Sequence, residues 1–91
     1  MKFPRSYDAT ITRADFIRLL AAATGDADFT EQEGLFRGRG WQLRFSPIPP
    51  LAIGMVRLER HRIEISFDGL SPHDEEVFMQ RFTLHYQRGG G

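Results

Sequence analysis

The sequence predicts one α+β domain, a two-layer sandwich in which two helices cover one face of an antiparallel sheet of four to five strands. Two observations predict it. Alternation of apolar and polar residues marks strands near the N-terminus and through the middle of the chain. Capped segments with one apolar side mark a helix early in the chain and another at its end. Short connections favour antiparallel pairing, and helices apolar on one side favour two layers, in the order β-α-β-β-β-β-α.

The first strand and the first helix are predicted to follow each other directly. Residues 3–11 alternate between apolar and polar side chains, which is typical of a half-buried strand. Thr12 can cap the first turn of a helix, and Asp15 three residues later completes a pair that resembles a capping box. Gly25 is placed to take the left-handed position after the last turn, so we predict a helix over 13–24.

The middle of the chain combines clear strand patterns with a proline-rich interruption. Residues 26–32 are acidic and lack a clear period, which predicts a loop with a strand beginning near Phe29. Glycines then predict a hairpin turn, and residues 41–46 alternate as a strand does. Three prolines follow within residues 46–50. Because proline has no N–H to donate, we predict a stiff extended connection there rather than a central strand.

In the next segment the alternation of apolar and polar residues does not keep a single phase. Residues 51–58 are rich in apolar side chains, but the alternation changes phase in the middle, so we predict a strand with a bulge at Gly54. Residues 59–61 are predicted to form a turn. Residues 62–68 alternate most clearly of all and predict the last strand of the sheet.

The final helix has a strong start signal. Ser71 is suited to the N-cap, Pro72 fits the first helical position, and three acidic residues complement the positive end of the helix dipole. We predict that the helix ends near Tyr86. The chain therefore divides into a single α+β domain over 1–87 and a flexible glycine-rich tail over 88–91.

Composition excludes several classes of site. The chain has no cysteine, so disulfides, thiolate metal sites and cysteine nucleophiles are excluded. The N-terminal residues lack a signal pattern, and the longest weakly polar run is too short to span a bilayer, so we expect a soluble cytoplasmic protein without membrane association. The formal net charge is zero, but residues 37–62 hold six arginines against one glutamate.

This basic stretch supplies most of the candidate binding residues. Arg44, Arg57 and Arg62 are expected on the sheet face that the helices leave open, where guanidinium groups can hold an anion or an acidic partner. The alternative is a solvated face whose charges form ion pairs between strands. Trp41 joins the candidates from the same segment. Arg88 joins them because it begins a tail that is either a frayed end or a docking segment.

Catalytic and metal-binding patterns are weak. The three histidines are scattered, with His61 expected in a turn, and no glycine-rich phosphate loop or nucleophile elbow is present. We therefore expect no metal, no cofactor and no enzymatic activity. The expected function is a small binding or accessory domain that contacts an anionic ligand, another protein or a second copy of itself.

Two alternatives remain open from the sequence. One is a homodimer formed by extension of the sheet across an exposed edge strand. The other is weak nucleic-acid binding. The zero net charge and the acidic start of the last helix argue against that second alternative, whereas the local basic stretch leaves it open.

Overall fold

The computed structural model describes residues 3–89, with side chains up to Tyr86. Within this range the chain forms one five-stranded sheet and two helices, with neighbouring strands antiparallel in the order β1-β5-β4-β3-β2. This architecture confirms the predicted fold class and element order. The elements are β1 (Ser6–Thr10), α1 (Arg13–Thr24), β2 (Thr30–Gln32), β3 (Leu35–Arg37), β4 (Trp41–Ile53), β5 (Val56–Phe67) and α2 (Pro72–Gly89).

The ends of α1 follow from its capping residues. The Thr12 hydroxyl accepts a hydrogen bond from the Asp15 N–H at 3.1 Å, which satisfies one of the free amides of the first turn. Gly25 has a φ of +73°, and its N–H donates to the Ala21 carbonyl at 2.9 Å. The predicted bounds of this helix are therefore confirmed.

The last helix begins as predicted and ends later. The Asp74 N–H donates to the Ser71 hydroxyl at 3.1 Å, so serine caps the helix. The helix continues to Gly89, three residues beyond the predicted end at Tyr86. Gly90, Gly91 and the Arg88 side chain lie outside the described residues, so the role assigned to the tail stays a prediction.

The β4–β5 hairpin is the longest feature of the sheet, and two predictions failed here. Gly54 does not form a bulge: it lies in the two-residue turn at a φ of +59°, with Ile53 opposite Val56. Residues 59–61 do not form a turn. They belong to β5, and β1 pairs with two of them, Thr10 opposite Arg60 and Ala9 opposite His61.

The proline-rich segment belongs to β4, which corrects the predicted connection. β3 pairs with β4 only over residues 42–44, so beyond that point β4 is an edge strand. The Phe45 N–H donates to the Gly34 carbonyl at 2.8 Å, so the backbone at Phe45 is directed toward the β3 side. By alternation Pro47 is directed to the same side, where no strand is paired among residues 3–89, and its missing N–H costs no ladder hydrogen bond. The pairing with β5 is irregular between Ile48 and Leu51.

The core lies between the helices and one face of the sheet. Alternate residues are buried against α1 and α2 from Trp41 to Phe45 of β4 and from His61 to Ile65 of β5. The residues between them are exposed, as a two-layer arrangement requires. Aromatic rings from both helices and four strands meet in this layer. The buried hydrophobic residues are Phe16, Leu20, Ala23, Phe36, Trp41, Leu43, Phe45, Ile63, Ile65, Phe78, Met79, Phe82 and Tyr86.

Candidate functional site

The candidate residues inferred from the sequence lie in different parts of the molecule. Arg44 and Arg62 are exposed on the open face of the sheet, where Arg44 lies opposite Glu64 and Arg62 opposite Ser46. Arg57 lies further along the hairpin. Because Arg57 and Arg62 are five residues apart on one strand, their side chains point to opposite faces, so Arg57 does not extend the open-face group.

Arg62 forms an ion pair on the open face. Its Nε donates to Asp8 Oδ1 at 2.9 Å, and Arg60 Nη2 lies 3.8 Å from Asp8 Oδ2. The hydrogen bond from Arg62, followed by the attraction of both guanidinium groups, holds the pKa of Asp8 below its usual value. This geometry favours the interpretation as a solvated face with ion pairs between strands.

Trp41 is a core residue rather than an exposed one, since only 4% of its surface is accessible. Its Nε1–H donates to Asp26 Oδ2 at 3.2 Å, and the Arg39 N–H donates to the same oxygen at 2.8 Å. The other oxygen, Oδ1, accepts from the Asp28 N–H at 2.9 Å. The Arg39 hydrogen bond is the largest cause of a lowered Asp26 pKa, so the ionised carboxylate joins the loop after α1 to the β3–β4 turn.

We expect Asp26→Asn to lower the free energy of unfolding and to reduce its dependence on acidic pH. A lowered folded-state pKa means that the ionised carboxylate stabilises the fold above its unfolded-state pKa. That contribution is lost as the pH falls through the folded-state pKa. Urea unfolding followed by Trp41 fluorescence between about pH 3 and pH 7 measures both effects.

The matched control for this prediction is Asp28→Asn. The Asp28 carboxylate accepts no hydrogen bond among the described residues, so this variant should keep the wild-type dependence. Equal changes of unfolding free energy with pH in wild type and Asp26→Asn would contradict the assignment.

His61 is buried, which corrects its predicted place in a turn. Its ring stacks on Phe45 with centroids 4.0 Å apart, and its Nδ1 lies 2.9 Å from the Ile11 carbonyl, which accepts the hydrogen bond. These contacts tie β5 to the β1–α1 connection. No group of three potential ligands among the described His, Asp and Glu residues could hold a metal ion.

Two grooves of about 490 Å³ each lie on the surface. One is at the end of the sheet and is lined by Arg37, Gln42 and Asp68 among others. The other lies beside α2 and is lined by Phe3 and Glu75 among others. Among the described residues, neither groove has a histidine in its wall.

The most distinctive exposed feature is the outer end of the β4–β5 hairpin, residues 51–58, which we call the arm. The arm extends beyond the last β1–β5 pair, Thr10 opposite Arg60, and is exposed along its whole length. Leu58 pairs with Leu51 and Val56 with Ile53, so these side chains share one side of the two-stranded ribbon. The large exposed apolar residues of the arm are Leu51, Ile53, Met55, Val56 and Leu58.

Met55 at the tip is fully exposed, and Ile53 and Val56 beside it are more than half exposed. The sequence contained the signal for this arm. Apolar residues alternate on each side of Gly54 and change phase across it, as they must when two paired strands meet at a two-residue turn. The same change of phase also fits a bulge, which is why the arm was missed.

A pocket of about 190 Å³ lies at the root of the arm, the end nearest the helices. It is formed where β1 ends, α1 begins and β5 leaves the sheet, and it is lined by Ile11, Leu19 and Leu58 together with Asp15 and Glu59. The Glu59 carboxylate accepts a hydrogen bond from the Arg13 N–H at 3.0 Å. That bond holds the arm's root against the start of α1.

Comparison with known proteins adds no assignment to this geometry. No helix in the described part of the chain is both long and apolar enough to cross a membrane. No protein-family model matches the sequence, and the search of curated proteins finds no match either.

Proposed function

We propose that the protein is a small non-enzymatic binding module whose arm docks onto another protein chain. The observation that carries this proposal is the row of large apolar side chains that the arm exposes. Together these five residues expose about as much surface as three fully exposed apolar residues. Contiguous exposed apolar patches on monomeric proteins rarely exceed a few hundred Å² and commonly mark interaction sites.

Burial of the arm would supply the driving force for docking. Moving one large apolar side chain fully out of water contributes about 1.5–3 kcal/mol. The arm offers several such side chains on one side of a ribbon, and the ribbon is already ordered by pairing between β4 and β5. Because the ribbon is ordered before contact, less conformational entropy is lost on binding than for a flexible peptide.

Docking through side chains fits the arm better than addition of a strand. Pro47, Pro49 and Pro50 directly precede the arm on the stretch of β4 that β3 leaves unpaired, and proline cannot donate to a neighbouring strand, so a strand added beside the arm could not continue along β4. A partner would therefore contact the apolar side of the arm.

An anionic ligand on the open sheet face has less support. Asp8 neutralises Arg62 and attracts Arg60, and Glu64 lies directly opposite Arg44. A phosphate or carboxylate would have to compete with these acids. The arm is therefore the better-supported binding surface.

A photo-crosslinking amino acid placed at Met55 tests this proposal in the cells that naturally make the protein. We expect irradiation to join the chain to one defined protein species. Ile53→Glu in the same chain should abolish the adduct, because it places a charge in the apolar side of the arm.

The matched control carries the crosslinker at Leu84, an exposed apolar residue on α2. That position should give no dominant adduct. Equal labelling from Met55 and Leu84, or labelling from Met55 that persists in Ile53→Glu, would contradict docking through the arm.

A further inference from the structure

We infer that the chain onto which the arm docks is a second copy of this protein, with Met55 of each copy seated in the root pocket of the other. This inference rests on the proposed docking function of the arm. It is carried by three features of the described residues: the shape of the pocket, the charges at its rim and the position of the pocket relative to Met55.

The pocket suits a methionine side chain. Its volume is about 190 Å³, and its apolar wall is formed by Ile11, Leu19 and Leu58. Methionine is unbranched and flexible, so it fills irregular apolar spaces well. Met55 is the most exposed large apolar residue in the described part of the chain.

The charges at the two ends of the arm are complementary. Arg57, close to the tip, is exposed and forms no ion pair or side-chain hydrogen bond among residues 3–89. The rim of the pocket holds two acids, Asp15 and Glu59, against one arginine, Arg18. Asp15 and Arg18 are themselves only loosely paired, at 3.3 Å and largely exposed, so Asp15 can accept a second guanidinium group.

The positions of the tip and the root pocket are compatible with a two-fold symmetric dimer. The tip and the root pocket are opposite ends of one arm, separated by three residues of β5 or about 10 Å. When two arms pack in opposite directions, each tip meets the root of the other copy. Both contacts then form at once, as a two-fold interface requires.

The size of the contact predicts a reversible dimer. A standard interface buries about 800 Å² on each partner, and the largest apolar patch of a monomer is about 300–600 Å². The five apolar residues of the arm expose about as much surface as three fully exposed residues, which is less than a standard interface buries, and the pocket adds to it. We therefore expect a dimer that dissociates on dilution rather than an obligate one.

This dimer differs from the sheet extension that the sequence left open. Pro47 lies on the free edge of β4, and the free edge of β5 at Glu59 lies beside the start of α1, since the Arg13 N–H reaches the Glu59 carboxylate. Both edges next to the arm are therefore poorly suited to pairing with another strand.

Sedimentation of the full chain over a wide range of concentrations tests the inference. We expect the average mass of the wild type to rise toward that of a dimer. Met55→Glu should raise the dissociation constant more than tenfold, because a carboxylate would have to enter an apolar pocket. Leu84→Glu, the matched surface control on α2, should leave the dissociation constant unchanged.

Exchanging the charges of Arg57 and Asp15 tests whether these two residues pair across the dimer. Arg57→Asp should weaken the dimer, and adding Asp15→Arg to it should restore most of the loss, because the ion pair forms again with reversed sign. All altered side chains are exposed, so circular dichroism spectra should match the wild type and separate lost association from lost folding.

Three results would overturn the inference: a wild type that stays monomeric at the highest concentration, a dimer insensitive to Met55→Glu, or a charge exchange that restores nothing. If the wild type is monomeric while the crosslinker at position 55 still joins the chain to a different protein in cells, the inference of a dimer is wrong. The proposal that the arm docks onto another protein is then still supported. If Met55 also gives no specific adduct, both proposals fail.

Discussion

Replacing Phe16 with alanine is expected to remove about 3–5 kcal/mol from the free energy of unfolding. Phe16 is fully buried in α1, and its ring stacks on Phe45 at 4.1 Å and on Tyr86 at 5.0 Å between centroids. Alanine would leave a cavity between the sheet and both helices, where the stacked rings could collapse only in part.

A loss of this size would leave the Phe16→Ala variant with little remaining stability. A domain of this length has a total unfolding free energy of about 5–14 kcal/mol. Urea unfolding at neutral pH measures the loss, and Phe16→Leu should lose less because it keeps most of the apolar volume. Leu84→Ala, at an exposed position, should change the value by less than about 0.5 kcal/mol. A loss below about 1 kcal/mol for Phe16→Ala would contradict the described core.

Trp41→Ala is the second change with a large expected effect, about 3–5 kcal/mol of unfolding free energy. The indole contacts the rings of Phe29 and Phe78, with centroids 6.3 and 5.7 Å away, and donates a hydrogen bond to Asp26. Alanine would remove the packing and also one of the donors that stabilise the ionised carboxylate.

Trp41→Phe separates packing from hydrogen bonding. It keeps a large ring but loses the Nε1–H, so we expect a smaller loss of about 0.5–1.5 kcal/mol from the missing hydrogen bond. Chemical unfolding followed by circular dichroism measures both variants, since the tryptophan signal itself is removed. Equal losses for alanine and phenylalanine would contradict the packing role.

The phenylalanine variant also tests the candidate role of Trp41 in binding. The side chain is buried, so we expect Trp41→Phe to sediment like the wild type and to give the same adduct from Met55. A folded Trp41→Phe variant that loses self-association would show that Trp41 contributes to the contact, and would contradict an interface confined to the arm and its root pocket.

The parts of the fold that were predicted correctly depend on local chemistry. Thr12 and Gly25 mark the ends of α1 because one accepts a hydrogen bond in the first turn and the other adopts positive φ after the last. Ser71 starts α2 for the same kind of reason. In each case the hydrogen-bond partner of the capping residue lies within four residues of it, so the helix end can be predicted from the local sequence.

The parts that were predicted wrongly depend on distant partners. Whether the segment containing Pro47 can be a strand depends on where β3 stops, because proline is tolerated only at an unpaired edge. Whether His61 lies in a turn or in a strand depends on β1, about fifty residues earlier, which pairs with it, and on the Ile11 carbonyl that follows β1. Neither partner is near enough in sequence to leave a local pattern.

The candidate site shows the same division. Strand alternation placed Arg44 and Arg62 on the open face, but only the pairing of β1 with β5 shows that Asp8 engages Arg62. Alternation also left the phase of residues 51–58 undecided. A bulge and a hairpin turn produce the same local change of phase, and only the Ile53–Val56 pairing distinguishes them.

The sequence by itself determined the two helices, the alternating strands and the two-layer arrangement, because hydrogen-bond capping and amphipathic periodicity act over a few residues. The tertiary structure alone decided that residues 51–58 project as an apolar arm with a pocket at its root. Exposure of an apolar residue is a property of what packs beside it, and for Met55 the neighbouring elements stop short of the hairpin tip.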